Sequence, residues 1–156
     1  MPIFELQLKA SLENTAKIQT SKGMFWKIRF ACSSCHEMSA QYMEFNADEE
    51  TDVGRGKANL ASKCHFCGRV RSVLVMPKSE QAYVASEPPA FSTIIKFDCR
   101  GMEPVEYAPG EGWVVEAESG EVYLDVDLTE CEWVDYDSRN QCPVGIYCLE
   151  SQFQKE

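Results

Sequence analysis

The chain has 156 residues, is 44% hydrophobic and carries a formal net charge of -10. That length can bury ~68–70% of the unfolded surface, enough for one domain or two small ones sharing an interface. No basic region precedes an apolar run at the start, and no stretch approaches the ~18 uninterrupted apolar residues of a spanning helix, so secretion and membrane spanning are disfavoured and a soluble cytoplasmic protein, with access to the nucleus, is expected.

The first predicted element is a strand, since Phe4-Glu5-Leu6-Gln7-Leu8-Lys9-Ala10 alternates apolar and polar residues with a period of two. Phe25 to Ala31 alternates in part and runs into the first cysteine pair, Cys32-Ser33-Ser34-Cys35. Gly54 and Gly56 punctuate the chain before Lys57 to Lys63, the best helical candidate, short enough to be a single turn. It leads into a second pair, Cys64-His65-Phe66-Cys67, followed by Gly68. A positive φ at that glycine lets backbone N–H groups point at a thiolate, and His36 holds the corresponding place after Cys35. Val70 to Met76, Ser92 to Phe97 and Val144 to Leu149 are further short strands, with Pro88-Pro89 stiffening the connection between the first and second halves. Cys148 in the last strand reads as a small buried hydrophobe. Breakers recur too often for a long helix, so the chain is predicted to be all-β.

A weak internal repeat aligns Phe30 to Glu37 with Phe97 to Pro104, and Leu60 to Cys67 with Leu128 to Asp135, at offsets of 67 and 68 residues. It sets Cys99 against Cys32, and Glu132 and Asp135 against Cys64 and Cys67. The expected organisation is two tandem, pseudo-symmetric β domains, sandwich- or barrel-like: a metal-binding domain at 1–85 and an acidic domain without metal at 86–156. Charge follows the same line. Residues 1–85 balance to +2, residues 86–156 to -12, and Val53 to Ser79 contains no acidic residue while Arg55, Lys57, Lys63, Arg69, Arg71 and Lys78 surround the second cysteine pair. The acidic run Asp125 to Asp137 lacks the glycine and spacing of a calcium loop and is expected to be a solvated face.

Two CxxC pairs separated by 28 residues carry the chemistry. Cys32, Cys35, Cys64 and Cys67, offered as two knuckles, can close a tetrahedron around one Zn²⁺ with Zn–S near ~2.3 Å. Four protein ligands leave no open position, so the metal is structural and no enzymatic activity is expected. His36 and His65 fall outside this complete set. A Zn(Cys)₄ centre is itself anionic, so the basic stretch is expected to support it. Two other readings stay open: a thiol–disulfide redox pair using one CxxC, and an RNA-binding zinc ribbon using the basic stretch, although the charge balance weighs against nucleic acid. Iron can also occupy such a site. Cys99, Cys131, Cys142 and Cys148 form no CxxC pair, and no role is read for them.

In order along the chain stand Cys32-x-x-Cys35, Gly54-Arg55-Gly56, Lys63-Cys64-x-x-Cys67, Phe97-x-Cys99-Arg100-Gly101-x-Glu103-Pro104-Val105, Trp133-x-Asp135-Tyr136-Asp137 and Val144-Gly145-Ile146-Tyr147. This series resembles the eukaryotic CXXC-motif-containing zinc-binding proteins over nearly the whole chain. The resemblance implies two β domains related by pseudo-symmetry, one zinc held by Cys32, Cys35, Cys64 and Cys67, and no established enzymatic activity. The expected function is that of a zinc-bearing monomer presenting a face, the acidic second half, to a protein partner.

Overall fold

The computed structural model describes residues 2–54 and 56–156; Met1 and Arg55, the latter counted above among the basic residues, lie outside them. The alternation of the first predicted strand is realised in β1 (Ile3–Glu13), where Phe4, Leu6, Leu8 and Ala10 are buried and Glu5, Gln7 and Lys9 occupy the opposite, partly solvated face. β2 (Thr15–Gln19), β3 (Trp26–Cys32), β4 (Met43–Phe45), β5 (Thr51–Val53), β6 (Gly56–Ala58), β7 (Leu60–Lys63), β8 (Val70–Val75) and β9 (Tyr83–Val84) complete the first half. The second half contributes β10 (Ser92–Arg100), β11 (Met102–Tyr107), β12 (Trp113–Ala117), β13 (Val122–Val126), β14 (Trp133–Asp137) and β15 (Cys142–Lys155).

Among the described residues there is no helix. The turn expected at Lys57 to Lys63 is instead the end of β6 followed by β7, and Asn59 is the reason. Its side-chain oxygen accepts the Val75 N–H at 2.7 Å while its own N–H donates to the Val73 carbonyl at 2.8 Å. Both bonds hold the segment extended against β8 and consume groups that a helical turn would use.

The strands form a six-stranded sheet in the order β14-β15-β1-β10-β8-β7, a four-stranded sheet β13-β12-β2-β9, a three-stranded sheet β11-β3-β4 and the hairpin β5-β6. Exchanging β1 with β10, β2 with β11, β3 with β12, β4 with β13, β7 with β14 and β8 with β15 returns the same strand orders, apart from β9 at the edge of the four-stranded sheet and the β5-β6 hairpin, which have no counterpart among the described strands. The internal repeat is therefore a pseudo-two-fold, passing through the β1–β10 ladder, where Ile3 pairs with Asp98 and Leu8 with Ser92. Its register differs from the one expected. Cys32, opposite Met102 at the end of β3, corresponds to Ala117, opposite Thr15 at the end of β12, and not to Cys99. Cys64 likewise corresponds to Asp137, since each begins a turn closing the β7–β8 or β14–β15 hairpin. The extra length between β3 and β7, which includes β5–β6, shifts the register along the chain and hides the repeat from a constant-offset comparison.

Details of the corners follow the same symmetry. Asn14 (φ 51°) turns β1 into β2, and Gly101 (φ 77°) turns β10 into β11. Asn14 donates its amide to the Pro143 carbonyl at 2.7 Å. A Cβ on Gly101 would stand 3.2 Å from the Val70 carbonyl, at the equivalent place on β8. Asn and Gly are the residues that adopt this left-handed conformation at least cost.

Hydrogen bonding does not stop at the expected boundary between residues 85 and 86. β1 pairs with β10 and β15, β3 with β11, and β2 with β12, so the ladders run across it. One apolar cluster draws on both copies, from Leu6, Leu8, Ile28 and Phe30 to Ile94, Phe97, Val115 and Ile146. At its centre Trp26 of β3 and Trp113 of β12 meet edge to face, ring centroids 6.1 Å apart. Among the described residues no helix is long and apolar enough to cross a membrane.

Candidate metal centre

Each CxxC pair sits in a turn that the neighbouring strands close. β3 delivers Cys32, whose N–H donates to the Glu37 carbonyl at 3.0 Å and whose carbonyl accepts the His36 N–H at 2.9 Å. β7 delivers Cys64 in the same way: its N–H donates to the Arg69 carbonyl and its carbonyl accepts the Gly68 N–H, both at 2.9 Å. Identical bonding demands identical backbone, and the residues after the second cysteines, His36 (φ 64°) and Gly68 (φ 76°), both adopt the positive φ that the sequence predicts at Gly68. Ser33 N–H donates to the Gly101 carbonyl at 3.0 Å, anchoring the first knuckle to the β10–β11 corner.

The four sulfurs converge. All lie within 4.8 Å of one another, and Cys32 Sγ to Cys67 Sγ and Cys35 Sγ to Cys64 Sγ are each 3.6 Å. A tetrahedral ion with ~2.3 Å bonds separates its sulfurs by ~3.8 Å, so the cradle fits one zinc. Both of these approaches run between motifs, so the two knuckles face one another. Cys32 and Cys64 are buried, Cys35 is partly covered and Cys67 is exposed.

The local backbone favours thiolates at the first cysteine of each pair. The N–H groups of Cys35 and Ser34 draw Cys32 down to about 6, against burial, and those of Cys67 and Phe66 lower Cys64. Cys35 receives the Glu37 N–H, which lowers it, yet burial and the hydrogen bonds shared with the neighbouring thiols push it up to about 12. A cation bound by the four sulfurs displaces the protons that remain on them. Lys63 lies along the Gly68 turn, its Cε 3.8 Å from where a glycine Cβ would stand, a position that supports an anionic centre.

The remaining expected residues are placed as follows. His36 and His65 are exposed and outside the sulfur cluster. Cys99 is buried in the core, where burial raises its thiol, and Cys131 and Cys142 are partly covered. Cys148 is exposed with φ 55°, a correction to the buried strand position expected for it: the backbone irregularity turns its side chain out of the alternation. Among the described residues the four knuckle cysteines are the metal-ligating cluster.

A polar cluster occupies the equivalent place in the second copy. Asp137, where Cys64 stands in the first, is fully buried and accepts the Arg139 and Asn140 N–H groups at 2.9 and 3.3 Å. The neighbouring Ser119 hydroxyl, those amides and the Arg139 guanidinium hold its carboxyl below the usual range. Arg139 in turn binds Glu121 at 2.8 Å. Side chains of two adjacent turns do here what a metal would do between the knuckles. The sequence expectation put Glu132 and Asp135 at this place; the true signal was the spacing from Cys64 to Asp137, visible only once the hairpins are paired.

Four cysteines from two knuckles, closing a tetrahedral cradle on an all-β pseudo-symmetric scaffold, define a zinc-binding protein. A family model described as CXXC motif containing zinc binding protein, eukaryotic, matches residues 5–154. The chain belongs to that family. It is 38% identical to the CXXC motif containing zinc binding protein of Bos taurus, covering 97% of each chain, and 42% identical to a UPF0587 protein of Nematostella vectensis, covering 96% of each. The crystal structure of C1orf123 superposes with a TM-score of 0.93 at 34% identity, covering 99% of both chains. A hypothetical protein from Plasmodium falciparum shares the fold, with a TM-score of 0.89 at 24% identity over 99% of this chain and 100% of that one. The cofactor is zinc, and the cysteines are placed to hold one ion.

Proposed function

We propose that this protein is a monomeric, non-enzymatic interaction module of the cytoplasm, in which Cys32, Cys35, Cys64 and Cys67 supply every ligand of a structural zinc and the folded surface binds a protein partner. The observation that carries the reading is the spacing of the four sulfurs: paired across motifs at 3.6 Å, they complete a tetrahedron and leave no coordination position for substrate or water. Zinc then joins the β3 end to the β7–β8 hairpin and fixes the shape of the surface around them.

Thiol–disulfide exchange is the competing reading, favoured by the exposure of Cys67 and the lowered Cys32. Reaction of the purified protein with a thiol reagent separates the two. A zinc staple keeps four thiols slow until a chelator is added, and Cys64→Ser loses the metal. A redox pair reacts fast without chelator, and full zinc retention by Cys64→Ser would overturn the staple.

A further inference from the structure

One edge strand of the six-stranded sheet, β14, and one of the four-stranded sheet, β13, are tied together through Tyr123. Its ring packs on Trp133 with centroids 5.2 Å apart, and its hydroxyl donates to the Tyr136 carbonyl at 3.0 Å. With Tyr123 and Trp133 turned inwards, the alternate positions face solvent. Val122, Leu124, Val134 and Tyr136 are each half or more exposed, Leu124 at 71%. Val122 and Leu124 are thus one exposed apolar pair on β13 and Val134 and Tyr136 another on β14, and such groups mark contact surfaces more often than single exposed residues do.

The surroundings specify what covers them. From Gly101 to Ser138 the chain has twelve Asp or Glu and not one Lys or Arg, and Glu132 and Asp135, which flank Trp133 and Val134 in the sequence, are exposed. Phosphate backbones and anionic membranes are repelled by such a field, whereas a cationic protein segment is attracted, its lysines or arginines meeting the carboxylates or the Tyr136 ring while its apolar residues cover Leu124 and Val134.

We infer that the β13–β14 face is the docking surface for a basic protein segment in which Lys or Arg residues are interspersed with apolar ones. This inference rests on the interaction-module reading and assigns its surface and the chemistry of its partner.

Selection of short random peptides on the zinc-loaded full chain tests it. Enriched peptides are expected to carry several Lys or Arg among apolar residues. A synthetic copy should bind more weakly at high salt and lose about tenfold in affinity to each of two variants, Leu124→Ser/Val134→Ser and Glu132→Lys/Asp135→Lys. All four positions are on the surface, and unchanged zinc content confirms that the variants fold. Binding should be unaltered by Phe66→Ser/Val70→Ser, which removes exposed apolar residues at the second knuckle. Acidic enriched peptides, or full affinity in both β13–β14 variants, would overturn the assignment. Loss of binding in the Phe66/Val70 variant alone would overturn this surface and leave the module reading standing, and absence of any enriched sequence would count against both.

Discussion

Asp137 and Cys64 occupy equivalent turns and solve one problem by different means. Each turn must be held to its neighbour; Cys64 does so through a shared ion, Asp137 through a buried carboxylate that accepts two backbone N–H groups and lies near Ser119 and Arg139. Because those partners depress the folded-state pKa, the carboxylate stabilises the fold above its unfolded value near ~3.9 and loses that contribution as pH falls through the folded one. Asp137→Ala should therefore lower the urea midpoint at neutral pH, and the gap between variant and wild type should close on acidification. Urea titrations of both proteins across the acid range check this; a gap independent of pH would show that the charge is not what matters. Residue-scale chemistry was legible where spacing is local. The CxxC pairs and Gly68 announced the knuckles, whereas nothing local to Asp137 marks it, since its role depends on hairpin pairing between distant segments.

Strands with an uninterrupted period of two were readable because one face is dry and the other wet. β1 is the clearest case, with Phe4, Leu6, Leu8 and Ala10 on the buried side. The β6–β7 segment was misread as a turn of helix because Asn59, which fixes it to β8, bonds to partners ten or more residues away, Glu49 and Val75. The repeat was recognised in kind and missed in register, since the extra residues between β3 and β7 displace the copies. At the centre of the shared core stand Trp26 and Trp113, 2% and 1% exposed. Trp26 also packs on Phe97 at 5.6 Å and Tyr107 at 6.0 Å, both from the second copy. Trp26→Ala should cost ~3–5 kcal/mol, the range for emptying a large aromatic site, and should alter the packing of Trp113 with it. Chemical denaturation followed by near-ultraviolet circular dichroism measures both; a loss below about 1 kcal/mol would place the tryptophan pair outside the core's main support.

Across the whole molecule, interleaved ladders couple the metal to the acidic half. Apparent zinc affinities at such centres correspond to ~10–16 kcal/mol, as large as the whole stability of an ordinary domain at ~5–15 kcal/mol. Losing the ion should therefore not release the first copy alone. β1 is shared between β10 and β15, so chelation at mildly denaturing temperature should change the fluorescence of Trp133 on β14 in one transition with that of Trp26. Single-tryptophan variants report the two positions separately, and a Trp133 signal that persists after Trp26 has unfolded would show two independent units. The charge asymmetry belongs to this scale too: the copies share a topology while one surrounds a metal with cations and the other presents carboxylates to solvent.

X-ray absorption at the zinc edge of protein purified without added metal examines the closed cradle most directly. Cys32, Cys35, Cys64 and Cys67 predict a shell of four sulfurs at ~2.3 Å and nothing lighter. An oxygen or nitrogen in that shell, or fewer than four sulfurs, would contradict a purely structural ion.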